Sequence, residues 1–303
     1  MVHVVNKLES ANCVTHNGTM HADEVFATAF LDLYLGDVFV FRTSSISEND
    51  VAPSVFVYDV GRGKFDHHQL DALKRENGIP YSSIGLLWKE FGKDYLRKEN
   101  ISNLEEVFIG IDKDLIEAID GDDNGVFPKI ECNYKVKTLS NVIKIFNPSL
   151  YSDETEAGQF VKAVELAKMI FQEEVLYIQG KVISDLKVTE IIKKKDKKTK
   201  YLLLDEYLPY EDALLNCEEG NQILFVAFPS NRGGYAIKTV PKSVEDRTAR
   251  MDFPEEWAGL SDKQLEEVSG IEGLRFCHTG RFIVSCNDLV AVYQVFDKLC
   301  PEA

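Results

Sequence analysis

The first half of the chain alternates short apolar runs with longer segments whose apolar residues recur at helical spacing. Residues 12–16, 38–42 and 55–60 are short and rich in β-branched or aromatic side chains, a composition typical of strands. Residues 23–35 carry apolar side chains every three or four positions, which predicts a helix. Because strands separated by helices indicate βαβ units, the pattern predicts an α/β fold with a mostly parallel sheet flanked by helices.

Three more helical segments are predicted before the pattern changes. Ser82 and Ser83 are residue types that can cap the start of a helix. Residues 104–119 predict another helix, and residues 152–192 predict a long one. The lysine-rich segment 193–200 follows, and we interpret it as a solvated turn near a domain boundary, with a contact to substrate phosphates as the alternative.

The second half has the pattern of a smaller α+β domain. Residues 222–228 and 234–240 flank a Pro-Ser-Asn-Arg-Gly turn, which predicts a β-hairpin. A helix, two strands and a closing helix are predicted in turn at residues 261–268, 274–278, 282–285 and 287–299. With 303 residues in all, we expect two domains, 1–190 and 191–303.

Composition and charge narrow the classes of function. Hydrophobic content is 45% and charged content 28%, which is typical of a globular protein with a sizeable core. The net charge of −16 argues against a protein that coats nucleic acid through a broad basic face. It does not exclude a nuclease, because metal ions can supply the positive charge that a phosphodiester needs.

The location of the protein is predicted from what its sequence lacks. No apolar run reaches 18 residues, so we expect no membrane partner, and the first residues do not resemble a signal peptide. We therefore expect a cytoplasmic protein. The six cysteines form no Cys-x-x-Cys pair and are expected to be reduced.

Histidine and aspartate side chains concentrate in four segments of the first half. In the first segment, His16, His21 and Asp23 stand where a predicted strand gives way to a helix. Ligands bind at the carboxyl ends of strands in open α/β sheets, so these side chains are well placed to hold a divalent cation. Gly18 between them lets the backbone turn so that both imidazoles can point to one centre.

The other three segments add carboxylates and a pair of adjacent histidines. Asp59 ends an apolar strand, where a carboxylate is costly to bury unless it is paired or metal-bound. His67 and His68 follow, and we expect separate roles because adjacent residues on a regular element face different ways. Asp120 and Asp123 follow a helix. Each segment alone is more typical of a turn or cap, but together they predict a site suited to Mn²⁺, Mg²⁺ or Co²⁺.

Several motifs can be compared with known families. The triplet Asp66-His67-His68 resembles the signature of the DHH phosphoesterase superfamily. Further motifs lie at residues 15–24, 58–61, 82–85, 120–125, 240–242, 254–260, 268–271 and 276–282. Together they resemble the melanocyte-proliferating-gene exonuclease family, a branch of that superfamily, over nearly the whole chain. The resemblance implies a DHH-like catalytic domain over residues 1–190 and a substrate-binding domain over residues 191–303.

The resemblance also implies a set of ligands for two metal ions. The set consists of His16, His21, Asp23, Asp59, His67 and either Asp120 or Asp123. Of the last two we favour Asp120, and Asp59 would bridge both ions. His21 stands where the superfamily has an aspartate, and a nitrogen ligand favours Mn²⁺, Co²⁺ or Zn²⁺ over Mg²⁺. His68 would face the substrate phosphate, and Asp66 would orient a histidine.

Residues of the second half are expected to bind substrate phosphate. Arg281 is the strongest candidate, because it follows a glycine turn in a family-like motif and arginine matches the geometry of phosphate. Weaker candidates of the same kind are His278, Gly280, Arg232, Lys238 and Lys242. Ordinary surface charge is the alternative for these cations.

The implied function is that of a metal-dependent 3′–5′ exonuclease. It would hydrolyse phosphodiester bonds of RNA or short oligonucleotides with two metal ions, for which Mn²⁺ is favoured and Mg²⁺ or Co²⁺ is an alternative. A small-molecule phosphohydrolase, acting on pyrophosphate, a nucleotide or a cyclic dinucleotide, is a second hypothesis that the acidic surface fits. A non-catalytic metal-binding regulatory protein is a third. The sequence leaves the oligomeric state open, a homodimer included.

Overall fold

The computed structural model describes residues 1–47, 50–151, 153–196 and 198–301. The chain divides into two compact units, Met1–Gly180 and Lys181–Ala303. The boundary expected from the sequence, after residue 190, falls in the same long helix as residue 180. The assignment of catalysis to one part and of substrate binding to the other stays a prediction.

The first unit contains a four-stranded, wholly parallel sheet. Its strands are β1 (Val2–Val5), β2 (Cys13–His16), β3 (Val38–Thr43) and β4 (Phe56–Val57). Their order across the sheet is β1-β3-β2-β4. The α/β class with a mostly parallel, helix-flanked sheet is therefore confirmed.

Among the described residues, five α-helices lie within this unit and a sixth begins in it and continues beyond Gly180. They are α1 (Ala22–Leu35), α2 (Ser83–Lys98), α3 (Leu104–Ile111), α4 (Glu117–Asp123), α5 (Leu139–Lys144) and α6 (Glu156–Lys194). A π-helical segment, Asp112–Ile116, joins α3 to α4. The single helix predicted over residues 104–119 is therefore interrupted by a π-turn, and it continues to Asp123.

The core of the first unit is built around aromatic rings from three helices. Phe30 of α1 lies 5.7 Å, centroid to centroid, from each of Trp88, Tyr95 and Phe171. These side chains come from α2 and α6, and all four are buried. Burying an aromatic side chain of this size stabilises the fold by about 1.5–3 kcal/mol. This cluster holds α1 in place, and the first turn of α1 carries site residues.

The second unit contains a mixed five-stranded sheet of order β5-β6-β7-β9-β8. The strands are β5 (Tyr201–Leu203), β6 (Phe225–Pro229), β7 (Tyr235–Thr239), β8 (Leu274–Cys277) and β9 (Ile283–Cys286). Its helices are α7 (Glu211–Leu215), α8 (Asp262–Ser269) and α9 (Leu289–Leu299). The predicted hairpin is present as β6 and β7, which pair antiparallel. Short 3₁₀ turns occur at Leu8–Ser10, Glu218–Gly220 and Glu255–Trp257.

Several local predictions need correction. The strand expected at residues 55–60 has only two residues in the ladder, and Tyr58 forms an isolated bridge to Phe65. Ser82 precedes α2, but its hydroxyl donates to Asp120 and does not cap the helix. The expected start of α6 at Ser152 lies outside the described residues. The elements β1, α5, β5 and α7 had no counterpart among the predictions.

Two smaller predictions can be compared with the structure. All six cysteines are free thiols, five of them buried and Cys132 exposed, as expected for reduced residues. Within the described ranges, no helix combines the length and the apolar character that a bilayer span requires.

Candidate metal centre

His16 ends β2 at the carboxyl edge of the parallel sheet, and its ring is fixed on both sides. Nδ1 lies 2.9 Å from the carbonyl oxygen of Asn17, which only accepts, so Nδ1 donates there. Nε2 points to Asp59 Oδ2 at 3.1 Å and to Glu24 Oε1 at 3.4 Å. Burial disfavours the imidazolium, but these two carboxylates outweigh it and raise the pKa of His16 to about 10. A cation bound by Nε2 would have to replace that proton.

The loop between His16 and α1 is held by side chains that are distant in sequence. The Asn147 amide accepts from Met20 N at 2.6 Å and donates to Met20 O at 3.0 Å. Glu156 accepts from the backbone N–H of Gly18 at 3.0 Å and pairs with Arg42 at 2.7 Å. These hydrogen bonds and this ion pair fix the path of the loop that brings His21 to the N-terminus of α1.

Asp23 lies in the first turn of α1, and its carboxylate is fully buried. Among the described residues, neither of its oxygens has a hydrogen-bond partner. Burial, together with the nearby carboxylates of Asp59 and Asp123, raises the pKa of Asp23. A buried carboxylate without partners is costly unless it is protonated or bound to a cation. Asp23 therefore fits a metal ligand.

Glu24 is a second buried carboxylate in the same turn, and the sequence analysis missed it. Its two oxygens accept the backbone N–H of His21 at 3.1 and 2.9 Å, and Oε1 also faces His16. Burial raises the pKa of Glu24, while the contacts with His16 act against that shift. The only sequence signal was its position beside Asp23, where an acidic residue can equally stabilise a helix N-terminus.

Asp59 stands at the centre of the cluster. It follows β4 with a φ of 55°, a left-handed conformation that is uncommon without glycine and that concentrates at functional sites. Its oxygens lie 3.1 Å from His16 Nε2 and 3.3 Å from His67 Nε2. Burial opposes its ionisation, but the two imidazoles outweigh burial and lower the pKa of Asp59 to about 2. The carboxylate is therefore ionised and lies between both histidines.

His67 faces three carboxylates through one ring nitrogen. Nε2 lies 3.3 Å from Asp59, 3.2 Å from Asp123 Oδ2 and 3.8 Å from Asp23 Oδ2. Nδ1 lies 3.4 Å from the amide oxygen of Asn124, whose amide nitrogen donates to the carbonyl of Asp120 at 2.9 Å. This arrangement places a proton on Nδ1 and turns Nε2 towards the three carboxylates, where it could bind a metal ion. Asn124 was not identified from the sequence.

His68 and Asp66 form a pair at the edge of the cluster, where His68 Nδ1 also lies 3.6 Å from Asp59 Oδ1. The His68 side chain is 61% exposed, and its Nδ1 lies 2.8 Å from Asp66 Oδ1. Buried Asp66 also accepts the backbone N–H groups of His68 at 3.0 Å and of Arg62 at 2.6 Å. Asp66 thus orients His68, and the adjacent histidines occupy different environments.

The structure brings Asp123, and not Asp120, to the cluster. The fully buried carboxylate of Asp120 accepts two hydrogen bonds from Arg75, at 3.0 and 2.7 Å. It also accepts from the backbone nitrogen and the hydroxyl of Ser82. Burial raises the pKa of Asp120 to about 6, and the bonds from Ser82 and Arg75 offset part of that effect. The preference for Asp120 as a ligand does not fit these contacts.

Three overlapping groups of described side chains could each hold a metal ion. They are His16, His21, Glu24 and Asp59; Asp59, His67 and His68; and His21, Asp23 and Asp123. Within each group the ligand atoms all lie within 4.8 Å of one another. Imidazoles mixed with carboxylates suit Mn²⁺, Co²⁺ and related ions. Asp59 and His21 each belong to two of these groups, so the groups are not independent of one another.

A cavity of about 530 Å³ opens beside these groups. It is lined by His16, His21, Ser44, Ser45, Ile46, Asp59, Val60, Gly61, Arg62, Asp66 and His68. The sequence analysis did not single out Ser44, Ser45 or Arg62, since each is an ordinary loop residue until the chain is folded.

The predicted phosphate-binding residues of the second unit fall into two sets. Arg232, Lys238 and His278 line a cavity of about 720 Å³, together with Arg275, which the sequence analysis missed. Further lining residues include Tyr207, Phe228 and Phe276.

The other predicted phosphate-binding residues of the second unit contact neighbouring protein groups. The Arg281 guanidinium lies 3.2 Å from Asp252, and Lys242 lies 4.0 Å from Asp246. Gly280 donates its N–H to His278 Nδ1 at 2.9 Å.

Comparison with known proteins adds independent information. The MYG1 exonuclease family profile, described as an uncharacterised protein family (UPF0160), matches residues 12–298. A MYG1 protein of Dictyostelium discoideum is 31% identical, with 89% of this chain and 90% of that protein covered. A MYG1 protein of Saccharomyces cerevisiae is 29% identical over 96% of both chains, and a human protein named MYG1 exonuclease is 29% identical over 89% and 80%. No solved structure matches significantly.

Proposed function

This chain belongs to the MYG1 exonuclease family, and from that premise we propose that it is a metal-dependent phosphoesterase that acts as an exonuclease. The observation that carries the proposal is the buried carboxylate of Asp23, which has no hydrogen-bond partner among the described residues and lies beside Asp59, Asp123 and His67. Three carboxylates so close together repel one another unless cations neutralise them. The name of the human relative supports the exonuclease activity.

We assign the cluster to two ions that share Asp59, as in the DHH superfamily that the motifs resemble. The first ion would be held by His16, His21, Asp59 and Glu24. The second would be held by Asp23, Asp59, His67 and Asp123. Two nitrogen ligands at the first ion favour Mn²⁺, with Co²⁺ or Mg²⁺ as the alternatives.

The residues of the chain prepare the site for phosphodiester hydrolysis. Bound metal ions would supply a Lewis acid and a water nucleophile near neutral pH. Asn17 and Asn124 hold the imidazoles of His16 and His67 with their Nε2 atoms towards the carboxylates. Asp66 holds the Nδ1 edge of His68 and so orients the exposed ring beside the cluster, where it would face a phosphoryl oxygen of the substrate.

The substrate we propose is RNA or a short oligonucleotide, degraded from 3′ to 5′. Cations of the second unit would bind its phosphates, and the cavity lined by Arg232, Lys238 and His278 supports this role. Arg281, Gly280 and Lys242 remain candidates. Because Arg281 is paired with Asp252, it would have to exchange that partner for phosphate.

The net charge of −16 favours one alternative, a small-molecule phosphohydrolase, because a small substrate needs few phosphate contacts. Pyrophosphate, nucleotides and cyclic dinucleotides are its candidate substrates. A regulatory metal-binding protein would bind metal and hydrolyse none of these compounds.

One experiment distinguishes the exonuclease from the small-molecule phosphohydrolase and from the regulatory metal-binding protein. Labelled oligoribonucleotides, oligodeoxynucleotides and pyrophosphate are incubated with the protein and Mn²⁺, beside Asp59→Asn and a control, Asp94→Asn, on exposed α2 surface. We expect stepwise loss of 3′ nucleotides from RNA, abolished by Asp59→Asn and kept by Asp94→Asn. Hydrolysis of pyrophosphate alone would favour the small-molecule alternative, and metal binding without turnover would favour the regulatory one.

A further inference from the structure

We propose that Arg62 binds the phosphate next to the one that is cleaved, so that it selects substrates with at least two phosphodiesters. The inference rests on the proposed function. Arg62 lies four residues before Asp66, on a loop of the first unit, and it lines the same cavity as His16, Asp59 and His68.

The backbone of Arg62 is fixed at both of its polar groups. Its N–H donates to Asp66 Oδ2 at 2.6 Å, and its carbonyl accepts from the Gln69 side chain at 2.8 Å. Its φ is 60°, and it follows Gly61, whose φ is 86°. A left-handed backbone at an arginine is uncommon and is maintained here by these bonds. The side chain therefore starts from a fixed point, tied to the residue that orients His68.

The guanidinium of Arg62 differs from those of the other arginines of the first unit, which all pair with carboxylates. Arg42 pairs with Glu156, Arg75 with Asp112 and Asp120, and Arg97 with Asp94. Arg62 is exposed, and within the described ranges no carboxylate lies at ion-pair distance from it. It is also the one permanently charged cation among the described residues that line the cavity. An unpaired arginine in such a place is suited to bidentate binding of a phosphate.

The position of Arg62 indicates which phosphate it binds. The cleaved phosphate is assigned to the metal ions and to His68. Arg62 also lines a second cavity, of about 540 Å³, whose wall carries Lys64 and Lys89 together with the carboxylates of Asp71 and Glu90, the latter paired with Lys64. Arg62 and Asp66 line both cavities. A strand with its cleaved phosphate in the first cavity and its neighbouring nucleotide towards the second would pass its next phosphate across Arg62.

The test compares two substrates that differ in one phosphate. A dinucleoside monophosphate has only the cleaved phosphodiester, whereas a trinucleoside diphosphate has a second one beside it. We expect Arg62→Gln to lower kcat/KM for the trinucleoside substrate roughly 10-fold or more, since a charge-assisted hydrogen bond is lost. We expect a change within about twofold for the dinucleoside substrate. Arg62→Lys should restore part of the loss.

Arg97→Gln is the matched control, because it removes an exposed arginine that lies outside both cavities. Metal content and thermal unfolding of Arg62→Gln should equal those of the unchanged protein. Equal losses on both substrates, or no loss on the trinucleoside substrate, would overturn the inference.

Failure of the proposed hydrolysis can be told apart from failure of the Arg62 contact. If the unchanged protein cleaves neither substrate, the assigned activity is wrong. The contact is then measured as affinity for the fluorescently labelled trinucleoside diphosphate with Mn²⁺ present. Weaker binding by Arg62→Gln, with Arg97→Gln unaffected, supports the contact, and equal affinities reject it.

Discussion

Asp123 Oδ2 lies 3.2 Å from His67 Nε2, whereas Asp120, one turn earlier in α4, binds Arg75 and Ser82. Two aspartates of one motif therefore serve different purposes. Asp123 faces the candidate metal centre, and Asp120 ties α4 to the start of α2 and to the segment that carries Arg75. Substitution of each by asparagine should separate metal binding from folding.

For Asp123→Asn we expect loss of one bound ion and a fall in hydrolysis of at least about 100-fold, with thermal unfolding little changed. The reason is that the amide keeps the volume of the carboxylate but loses its charge. Metal content by elemental analysis and initial rates check this. Full metal content with full activity would remove Asp123 from the site.

For Asp120→Asn we expect the opposite pattern. The Arg75 guanidinium is buried and keeps Asp112 as a partner, so loss of its hydrogen bonds to the charged Asp120 should cost about 1–3 kcal/mol of unfolding free energy. Chemical denaturation measures the loss. The metal content of the folded fraction should be unchanged; a variant that is as stable as the parent but lacks metal would show that Asp120 is a ligand.

The packing of Asp120 against α2 can also be tested by a substitution at Gly85. An added Cβ at Gly85 in α2 would overlap both carboxylate oxygens of Asp120. We expect Gly85→Ala to lower the free energy of unfolding by about 1–3 kcal/mol. Gly180→Ala is the matched control, because nothing lies within 4 Å of the added Cβ in α6, and alanine should raise stability by up to about 1 kcal/mol. Equal effects of the two variants would contradict the predicted overlap.

The sequence predicted most of the elements and most of the residues that the structure brings into the cluster, because both depend on local patterns. The strand that ends at His16 and the helix that contains Asp23 are visible as apolar periodicity. The choice between Asp120 and Asp123 could not be made from the sequence, because the contacts that hold Asp120 away from the cluster involve Arg75, which is distant in the chain. The bonds of Arg75 become evident only once the fold is known.

The roles of Glu24 and Asn124 were missed for a related reason. Both residues are neighbours of predicted ligands, and both residue types are common at helix ends. Their contacts with His16 and His67 are set by tertiary packing. Sequence adjacency alone does not distinguish such residues from ordinary capping residues.

The affinity for Mn²⁺ should rise with pH. The carboxylates raise the pKa of His16 to about 10, so its imidazole carries a proton near pH 7 that the metal must displace. Affinity should increase by up to about tenfold per pH unit for each proton displaced. Titrations from roughly pH 6.5 to pH 8.5 measure this, and a pH-independent affinity would contradict it.

In the metal-free protein, stability against unfolding should fall as the pH rises into the alkaline range, whereas the affinity for Mn²⁺ rises with pH. A raised pKa means that the stabilising ion pairs of His16 are fully present below its ordinary pKa of 6.5 and are lost as the pH rises through about 10. The pKa of Asp59 is lowered to about 2, so its ion pairs contribute stability that is fully present above pH 3.8 and is lost as the pH falls through about 2. Thermal unfolding of the metal-free protein across the alkaline range checks the first effect. A melting temperature that stays constant or rises over that range would contradict it.

Glu24→Gln should weaken metal binding without disturbing the start of α1. The amide oxygen can still accept the backbone N–H of His21, but the charge beside His16 is removed. We expect affinity for Mn²⁺ to fall by about 10–100-fold. Glu106→Gln, in the first turn of α3 and exposed, is the control. Unchanged affinity in Glu24→Gln would exclude Glu24 from the first ion.

The proposed metal centre is a pair of ions that share Asp59. Anomalous X-ray scattering from crystals grown with Mn²⁺, recorded at the manganese edge, tests it most directly. We predict two peaks about 3.5–4 Å apart, one beside His16 and one beside His67, with the Asp59 carboxylate between them. A single peak, or two peaks that do not share Asp59, would contradict the two-metal account.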